Sequence, residues 1–214
     1  MTRNDKLFSD LPESVHFKDK KRSSIGVFDS GIGGLTVLQS LMTYFPEEDF
    51  LYVGDTARLP YGTKSRETVI KYSESLTRVL LRENVKAIVV ACSTASSHAL
   101  EAVTALAHPI PVVGMIEPTA RAALAATRNK HIGVMATAGT IRSKIYETTL
   151  QALADDVRVS VAPAQILVAL AEEGWVDGDV ARLSLGQYLS AMFCGPDAPD
   201  TLILGCTHFP VFAP

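Results

Sequence analysis

The sequence has few of the features that mark several large classes of protein. Its 214 residues contain only three cysteines and no Cys-x-x-Cys pair, so a disulfide scaffold is excluded and a reducing cytoplasm is indicated. No apolar run approaches the length of a membrane span. Lys and Arg total 20 against 23 Asp and Glu, so the net charge of −3 offers no positive field to nucleic acid or to a membrane surface. These absences predict a cytoplasmic protein that binds neither partner.

The composition is that of a globular protein, with 47% apolar and 20% charged residues. Residues 1–24 are polar and form a predicted N-terminal arm. From Ile25 onward, short apolar runs typical of strands alternate with segments of helical period, which predicts an α/β fold with a mostly parallel sheet covered on both faces. The predicted strands are Ile25–Phe28, Asp49–Val53, Lys86–Ala91, Pro111–Met115, His131–Ala136, Val157–Val161 and Asp200–Leu204. The predicted helices are Gly34–Tyr44, Ser65–Glu83, Thr94–Leu106, Pro118–Thr127, Thr140–Leu153, Gln165–Glu172 and Asp179–Phe193.

A weak internal repeat indicates two similar halves. Residues 87–94 and 201–208 each comprise an apolar strand, a small residue, a cysteine, and then hydroxyl or imidazole groups. The repeat predicts two α/β domains, 25–117 and 118–214, with Pro118 suited to a helix start. The alternative is one doubly wound sheet that carries two unrelated cysteines.

The last predicted strand lies close to the end of the chain. Only eight residues follow Cys206, whereas a strand of this class normally leads into a covering helix. The sequence therefore predicts that a C-terminal element is missing after Pro214.

Reactive or hydrogen-bonding groups end most of the predicted strands. Ligands of open α/β sheets bind beyond the carboxyl ends of the strands, so these groups are the first candidates for a site. These reactive or hydrogen-bonding groups are more numerous than the folding of the strand ends alone would require. The strand ends carry Asp29, Ser30, Asp55, Thr56, Cys92, Ser93, Thr94, Glu117, Thr137, Cys206, Thr207 and His208.

Cys92 and Cys206 are the strongest of these candidates. Cys92 directly precedes a predicted helix, whose N-terminal dipole favours a thiolate. One such cysteine is most often a small core residue, but two in matching contexts, one of them two residues before His208, favour a catalytic role. Cys194 has no comparable context and is predicted to be inert.

Nucleotide and metal sites are less well supported. The glycine-rich segment 29–34 permits close approach to an anion, but Thr36 stands where a dinucleotide fingerprint requires its third glycine. Asp55 ends the second strand, where a ribose-binding acid would lie, so the sequence gives weak support to the hypothesis of a nucleotide site. Only Cys206 and His208 have the short spacing of metal ligands, and we predict neither a metal nor a cofactor.

Four ordered motifs, DSGIGG, PYG, ACSTAS and GCTHFP, resemble those of glutamate racemases. Members of this family are cofactor-independent isomerases. They supply D-glutamate for bacterial peptidoglycan, and hence for cell-wall biogenesis and cell shape. The resemblance covers residue 25 to the end of the chain. It implies two α/β domains that face each other across a cleft, with one catalytic cysteine from each. It also implies that glutamate is the small-molecule substrate. It does not fix the oligomeric state, and a homodimer is one of the states that it allows.

The resemblance also implies a role for each matched residue. Cys92 and Cys206 correspond to the two acid/base thiols, Asp29 assists Cys92, and His208 assists Cys206. Glu172 corresponds to the acid that supports this histidine, with Glu173 as the fallback. The residues at substrate-binding positions of the family are Asp29, Ser30, Tyr61, Gly62, Ser93, Thr94, Thr207 and His208.

One position departs from the family motif. Ser93 stands where the family usually has asparagine, so an amide donor and its reach are lost on that side of the substrate. Two alternatives to a glutamate racemase stay open at this point. One is a racemase for aspartate or another amino acid, and the other is a non-catalytic relic of the family.

Overall fold

The computed structural model describes residues 23–213, so nearly all of the predicted N-terminal arm (1–24) lies outside the described residues. Within the described range the chain forms seven strands, eight α-helices and two short 3₁₀ helices, at Tyr61–Thr63 and Phe209–Phe212. The strands are β1 (Ile25–Asp29), β2 (Phe50–Gly54), β3 (Ala87–Val90), β4 (Val112–Gly114), β5 (His131–Ala136), β6 (Arg158–Pro163) and β7 (Thr201–Gly205). The helices are α1 (Leu35–Tyr44), α2 (Arg66–Arg82), α3 (Ser93–Ala107), α4 (Ile116–Ala126), α5 (Ala138–Ser143), α6 (Ile145–Leu153), α7 (Gln165–Glu172) and α8 (Gly178–Phe193).

The strands form two separate parallel sheets. The first has the order β2-β1-β3-β4, and the second has the order β6-β5-β7. The prediction of two parallel-sheet α/β units is therefore confirmed, and the alternative of one doubly wound sheet is wrong. The halves are similar rather than equal, because the first sheet has four described strands and the second has three.

Each sheet is buried on both faces because successive side chains of a strand point to opposite sides. In β1, Val27 packs in the cluster that contains α1, and its neighbour Phe28 packs in the larger cluster formed with α2 and α3. In β5, Val134 lies in the core shared with α4 and α6, whereas Met135 lies in the core beneath α7 and α8. The near-continuous apolar strands of the sequence correspond to this two-sided burial.

The chain passes from one half to the other between β4 and α4. β4 pairs with β3 in the first sheet, whereas Ile116, Ala120 and Ala123 of α4 pack in the core of the second sheet. The helix begins at Ile116, so the expectation that Pro118 starts it is wrong by two residues. A proline in the first turn of a helix is tolerated because its missing N–H has no intrahelical acceptor there.

The single helix predicted over 140–153 is two helices. Thr137 caps α5 by accepting a hydrogen bond from the backbone N–H of Thr140, so this helix starts earlier than predicted. Lys144 then takes a left-handed conformation (φ 56°, ψ 18°) and separates α5 from α6. A left-handed residue costs a non-glycine side chain about 1–2 kcal/mol and ends the helical repeat. The break lets α5 face the first half while α6 covers the second sheet.

Ser73 is a fully buried serine in α2 whose hydroxyl has no hydrogen-bond partner among residues 23–213. An unpaired buried polar group costs about 1–3 kcal/mol, and alanine is also the better helix former. We expect Ser73→Ala to raise the free energy of unfolding by about 1 kcal/mol in urea denaturation. The matched control is Ser75→Ala in the same helix. The Ser75 hydroxyl donates a hydrogen bond to the backbone oxygen of Lys71 (2.9 Å), so this substitution removes a hydrogen bond and not an unpaired polar group. A destabilised Ser73→Ala protein would contradict the prediction.

Candidate active site

The loop between β1 and α1 brings the two halves into contact. Asp29 is completely buried at the end of β1. Its Oδ2 accepts a hydrogen bond from the Gly31 N–H (3.0 Å), and its Oδ1 accepts one from the Thr207 hydroxyl (3.3 Å) in the second half. A Cβ atom at Gly33 would lie 2.7 Å from Thr207 Oγ1 and 2.8 Å from His208 Nδ1, so only glycine permits this approach. The loop therefore touches the sequence motif that follows Cys206.

Cys92 lies at the junction of β3 and α3, where it is the N-cap residue of the helix. Its Sγ accepts the Ala95 N–H (3.4 Å) and donates to Ser30 Oγ (3.5 Å). Burial raises the pKa of the Cys92 thiol to about 11, and the nearby Asp29 carboxylate acts in the same direction. The hydrogen bonds oppose this shift but do not overcome it. The helix N-terminus favours the thiolate through the Ala95 N–H, as expected, but desolvation is the larger influence and the net shift of the pKa is upward.

Cys206 follows β7 and belongs to a chain of three side chains. Its Sγ lies 3.8 Å from Nδ1 of His208, and Nε2 of the same imidazole makes a short hydrogen bond with Oε1 of Glu172. Burial raises the pKa of the Cys206 thiol, and the charges of Cys92 and Asp29 raise it further. The two thiols are linked through the segment after β1, although they come from different halves, because Ser30 bonds with Cys92 and the adjacent Asp29 bonds with Thr207, next to Cys206.

The two glutamates that end α7 have different environments. The Glu172 side chain is 23% exposed and is oriented towards His208, while the adjacent Glu173 is exposed. The structure thus brings Glu172, rather than the fallback Glu173, to the imidazole.

Asp29 interacts with groups on both sides of the site, near Cys92 and near Cys206. It was expected to assist Cys92, and its charge does raise the pKa of that thiol. Its side-chain hydrogen bond, however, crosses to Thr207 beside Cys206. Burial raises the pKa of the Asp29 carboxyl, against the opposing effects of His208 and of the hydrogen bonds from Gly31, Gly34 and Thr207.

Tyr61 and Gly62 occupy the interface between the halves in different ways. The Tyr61 hydroxyl donates to Asp55 Oδ2 (2.5 Å), so it is not free for a substrate while that bond is made. Asp55 also pairs with Arg58, so the carboxylate considered for ribose binding is engaged within its own half. A Cβ atom at Gly62 would lie 2.5 Å from Cβ of Thr137, so glycine is required for this contact with the second half.

Buried hydroxyls cross the interface next to Cys92. Thr94 Oγ1 lies 2.9 Å from Thr137 Oγ1 and 3.3 Å from Thr140 Oγ1, and all three side chains are buried. Ser93 is also buried, and its side chain lies near enough to Tyr146 to affect the pKa of that phenol. Burial raises the pKa of Tyr146 to about 12, against the hydrogen bonds from Ser93 and Thr119.

Several residues of the site lack a strong signal in the sequence. Thr140 could have been found, because it stands three residues after the strand-end Thr137 in a helix-capping pattern. Tyr146, beside Ser93, and Gln165, whose Oε1 lies 2.6 Å from where a Cβ atom of Gly62 would be, carry no such signal, since each reads locally as an ordinary helix residue. Their positions depend on the packing of distant segments.

The part of the chain that the structure describes contains neither a metal-binding cluster nor a membrane-spanning helix. Over residues 23–213, the His, Cys, Asp and Glu side chains form no group of three or more that could hold a metal ion. In the same range, every helix is too short or too polar to span a membrane.

Comparison with known proteins gives one family. The model of the Asp/Glu/Hydantoin racemase family matches residues 25–214. The glutamate racemase of Geobacter metallireducens is 50% identical over 188 residues, covering 88% of this chain and 68% of that protein. The glutamate racemase of a Sulfurihydrogenibium species is 47% identical over 188 residues, covering 87% of this chain and 71% of that protein. The crystal structure of the Francisella tularensis glutamate racemase in complex with D-glutamate is similar, with a TM-score of 0.84 and 39% identity over 90% of this chain and 71% of that one.

Proposed function

The chain belongs to the Asp/Glu/Hydantoin racemase family and is an amino-acid racemase, and we propose that it interconverts L- and D-glutamate through Cys92 and Cys206 without a cofactor. The observation that carries this proposal is the juxtaposition of two buried thiols, each after a parallel strand and each from a different half. The turn that follows β1 supports a shared cleft, because Ser30 hydrogen-bonds with Cys92 while its neighbour Asp29 accepts a hydrogen bond from Thr207, next to Cys206.

Racemisation requires two opposed groups. Inverting the α-carbon means removing a weakly acidic proton from one face and adding a proton to the other, and a single base tends to return the proton to the face it left. In the proposed step, a thiolate takes the α-proton and becomes a thiol, while the opposite thiol gives its proton to the carbanionic carbon and becomes a thiolate. The enzyme finishes with its two protonation states exchanged, and proton exchange of the thiols with solvent, or turnover in the opposite direction, restores them.

The raised thiol pKa values mean that both cysteines are protonated at neutral pH in this state of the protein. A bound amino acid brings a positive ammonium group, which favours a nearby thiolate electrostatically. On the Cys206 side, a bond from the Nε2–H of His208 to Glu172 leaves Nδ1 able to accept the thiol proton. On the Cys92 side, the Ser30 hydroxyl and the Ala95 N–H support the thiolate.

Substrate carboxylates would bind to hydroxyls near the thiols. Ser30, Ser93, Thr94 and Thr207 lie close to them, and the N-terminus of α3 supplies backbone N–H groups. We keep Tyr61 and Gly62 as proposed substrate neighbours, although the Tyr61 hydroxyl contacts Asp55.

The biological setting is also part of the proposal. The identities of 44–50% to glutamate racemases support glutamate over aspartate. The resemblance implies that the D-glutamate enters bacterial peptidoglycan. A cytoplasmic location and a homodimer stay predictions.

The test is solvent-deuterium exchange. In D₂O, L- and D-glutamate should each acquire α-deuterium and converge on a racemic mixture, as followed by mass spectrometry and chiral chromatography. Aspartate, supplied in parallel, should react far more slowly. Faster turnover of aspartate would overturn the substrate, and a lack of exchange with every amino acid would indicate a non-catalytic relic.

Ser93→Asn tests the departure from the family motif. A hydrogen bond to a charged group contributes about 1.5–3 kcal/mol, and a water bridge from the shorter serine recovers much of it. We expect asparagine to lower the KM for glutamate severalfold with a modest change in kcat, measured by initial rates in both directions. Unchanged or weaker binding would show that Ser93 does not contact the substrate as the resemblance implies.

A further inference from the structure

We infer that Tyr52 is a positioning residue for the Cys92 side of the reaction, and that its hydroxyl holds the turn Gly31–Gly34 in place. Within residues 23–213, the Tyr52 hydroxyl bonds with Gly31 and the Cys92 thiol with Ser30 and Ala95, so no direct hydrogen bond joins Tyr52 to Cys92. Tyr52 acts through the backbone of the turn, which carries or contacts the groups around both thiols. The inference rests on the proposed function and extends it to a residue of the neighbouring strand.

The hydroxyl of Tyr52 spans the turn. Tyr52 lies in β2 opposite Val27 of β1, and its hydroxyl donates to the carbonyl oxygen of Gly31 at 2.7 Å. A Cβ atom at Gly34 would lie 2.9 Å from the hydroxyl oxygen of Tyr52, so this oxygen also lies against the last residue of the turn. One side-chain atom thus contacts both ends of the turn. Gly54, also in β2, approaches the same place, because a Cβ atom there would lie only 2.4 Å from the Gly31 oxygen.

The turn is connected to the reacting groups on both sides. Ser30, directly before it, accepts the hydrogen bond from Cys92 Sγ at 3.5 Å. The Gly31 N–H donates to Asp29, whose carboxylate also accepts from Thr207. Gly33 lies against the side chain of His208 in the other half. A shift of the Gly31 carbonyl would therefore move a hydrogen-bond partner of Cys92 and a donor to Asp29.

The ring and the hydroxyl of Tyr52 have separate roles. The ring packs with the apolar cluster around Val27 and Val89, which phenylalanine would preserve. Burial and the charge of Asp29 hold the pKa of the phenol well above its usual range, so it stays a neutral hydrogen-bond donor rather than an acid/base group. Removal of the hydroxyl alone thus tests positioning with little change in packing.

The experiment compares Tyr52→Phe with the parent enzyme and with Tyr188→Phe, a half-buried tyrosine of α8 that serves as the matched control. We expect kcat to fall about tenfold in Tyr52→Phe, the size of effect that one misplaced hydrogen bond produces. KM and the urea midpoint should stay near the parental values. The primary isotope effect with α-deuterated glutamate should rise, because proton transfer becomes slower than the other steps. Tyr188→Phe should behave as the parent does.

A second variant and a second readout keep the test decisive. Gly54→Ala pushes on the same Gly31 carbonyl and should reproduce the loss of kcat. In ¹H–¹⁵N spectra, Tyr52→Phe should shift the amide signals of Gly31, Gly34, Ser30 and Cys92. An unchanged kcat, or shifts that do not reach Ser30 and Cys92, would overturn the inference. If the parent fails to exchange the α-proton, the proposed function fails, and the spectra still decide whether the hydroxyl holds the turn.

Discussion

Cys92→Ala and Cys206→Ala are each expected to abolish racemisation, with kcat reduced by at least about 10³-fold. The reason is that each thiol serves one face of the α-carbon, so the loss of either leaves one proton transfer without a donor or a base. Both residues are buried, yet the change to alanine removes only one sulfur atom from each side chain, and the variants should fold. The measurement is chiral chromatography of glutamate after incubation with each variant, with circular dichroism as the check on folding.

Solvent exchange gives the sharper form of this experiment. With one thiol left, a variant can at most exchange the α-proton of one enantiomer with retention, and the two variants should differ in which enantiomer they label. Cys194→Ala is the matched control, because Cys194 is an exposed thiol just after α8 and should be dispensable. Racemisation at the parental rate by either active-site variant would contradict the two-thiol mechanism.

The sequence predicted those features of the fold that depend on the local pattern of apolar and polar residues. All seven predicted strands are present, because buried parallel strands appear as short apolar runs between helical segments. The position of Cys92 and Cys206 at strand ends followed from the same pattern. The break at Lys144 could not be foreseen, because a left-handed lysine lacks the glycine signal that usually marks such a point.

The unpredictable part of the site depends on contacts between distant segments. Gly33 reads as a turn residue, and only the folded chain shows that it leaves room for His208. The direction of the thiol pKa shifts was also beyond local reasoning. A helix N-terminus is visible in sequence, whereas the degree of burial of Cys92, which outweighs it, is a property of the assembled halves. Polar residues at strand ends thus indicate where a site lies more reliably than how its groups titrate.

Glu172→Gln is expected to lower kcat about 100-fold while leaving KM within a few-fold of the parent. The glutamine oxygen can still accept the hydrogen bond from Nε2 of His208, but the negative charge that stabilises a protonated imidazole is lost. Proton transfer at Cys206 therefore slows while the geometry is kept. Because L- and D-glutamate are equally stable, the value of kcat/KM must fall by the same factor in both directions, and initial rates from each enantiomer check the measurement internally.

Glu173→Gln is the matched control for this prediction. It changes the net charge by the same amount one residue away, but Glu173 is exposed, whereas Glu172 is oriented towards His208. We expect its kcat to stay close to that of the parent, since exposed charges are screened by water and salt. A large loss in Glu173→Gln with a normal Glu172→Gln would make Glu173 the supporting acid. Equal losses in both variants would instead indicate that the charge at the end of α7, and not the contact with His208, supports the transfer.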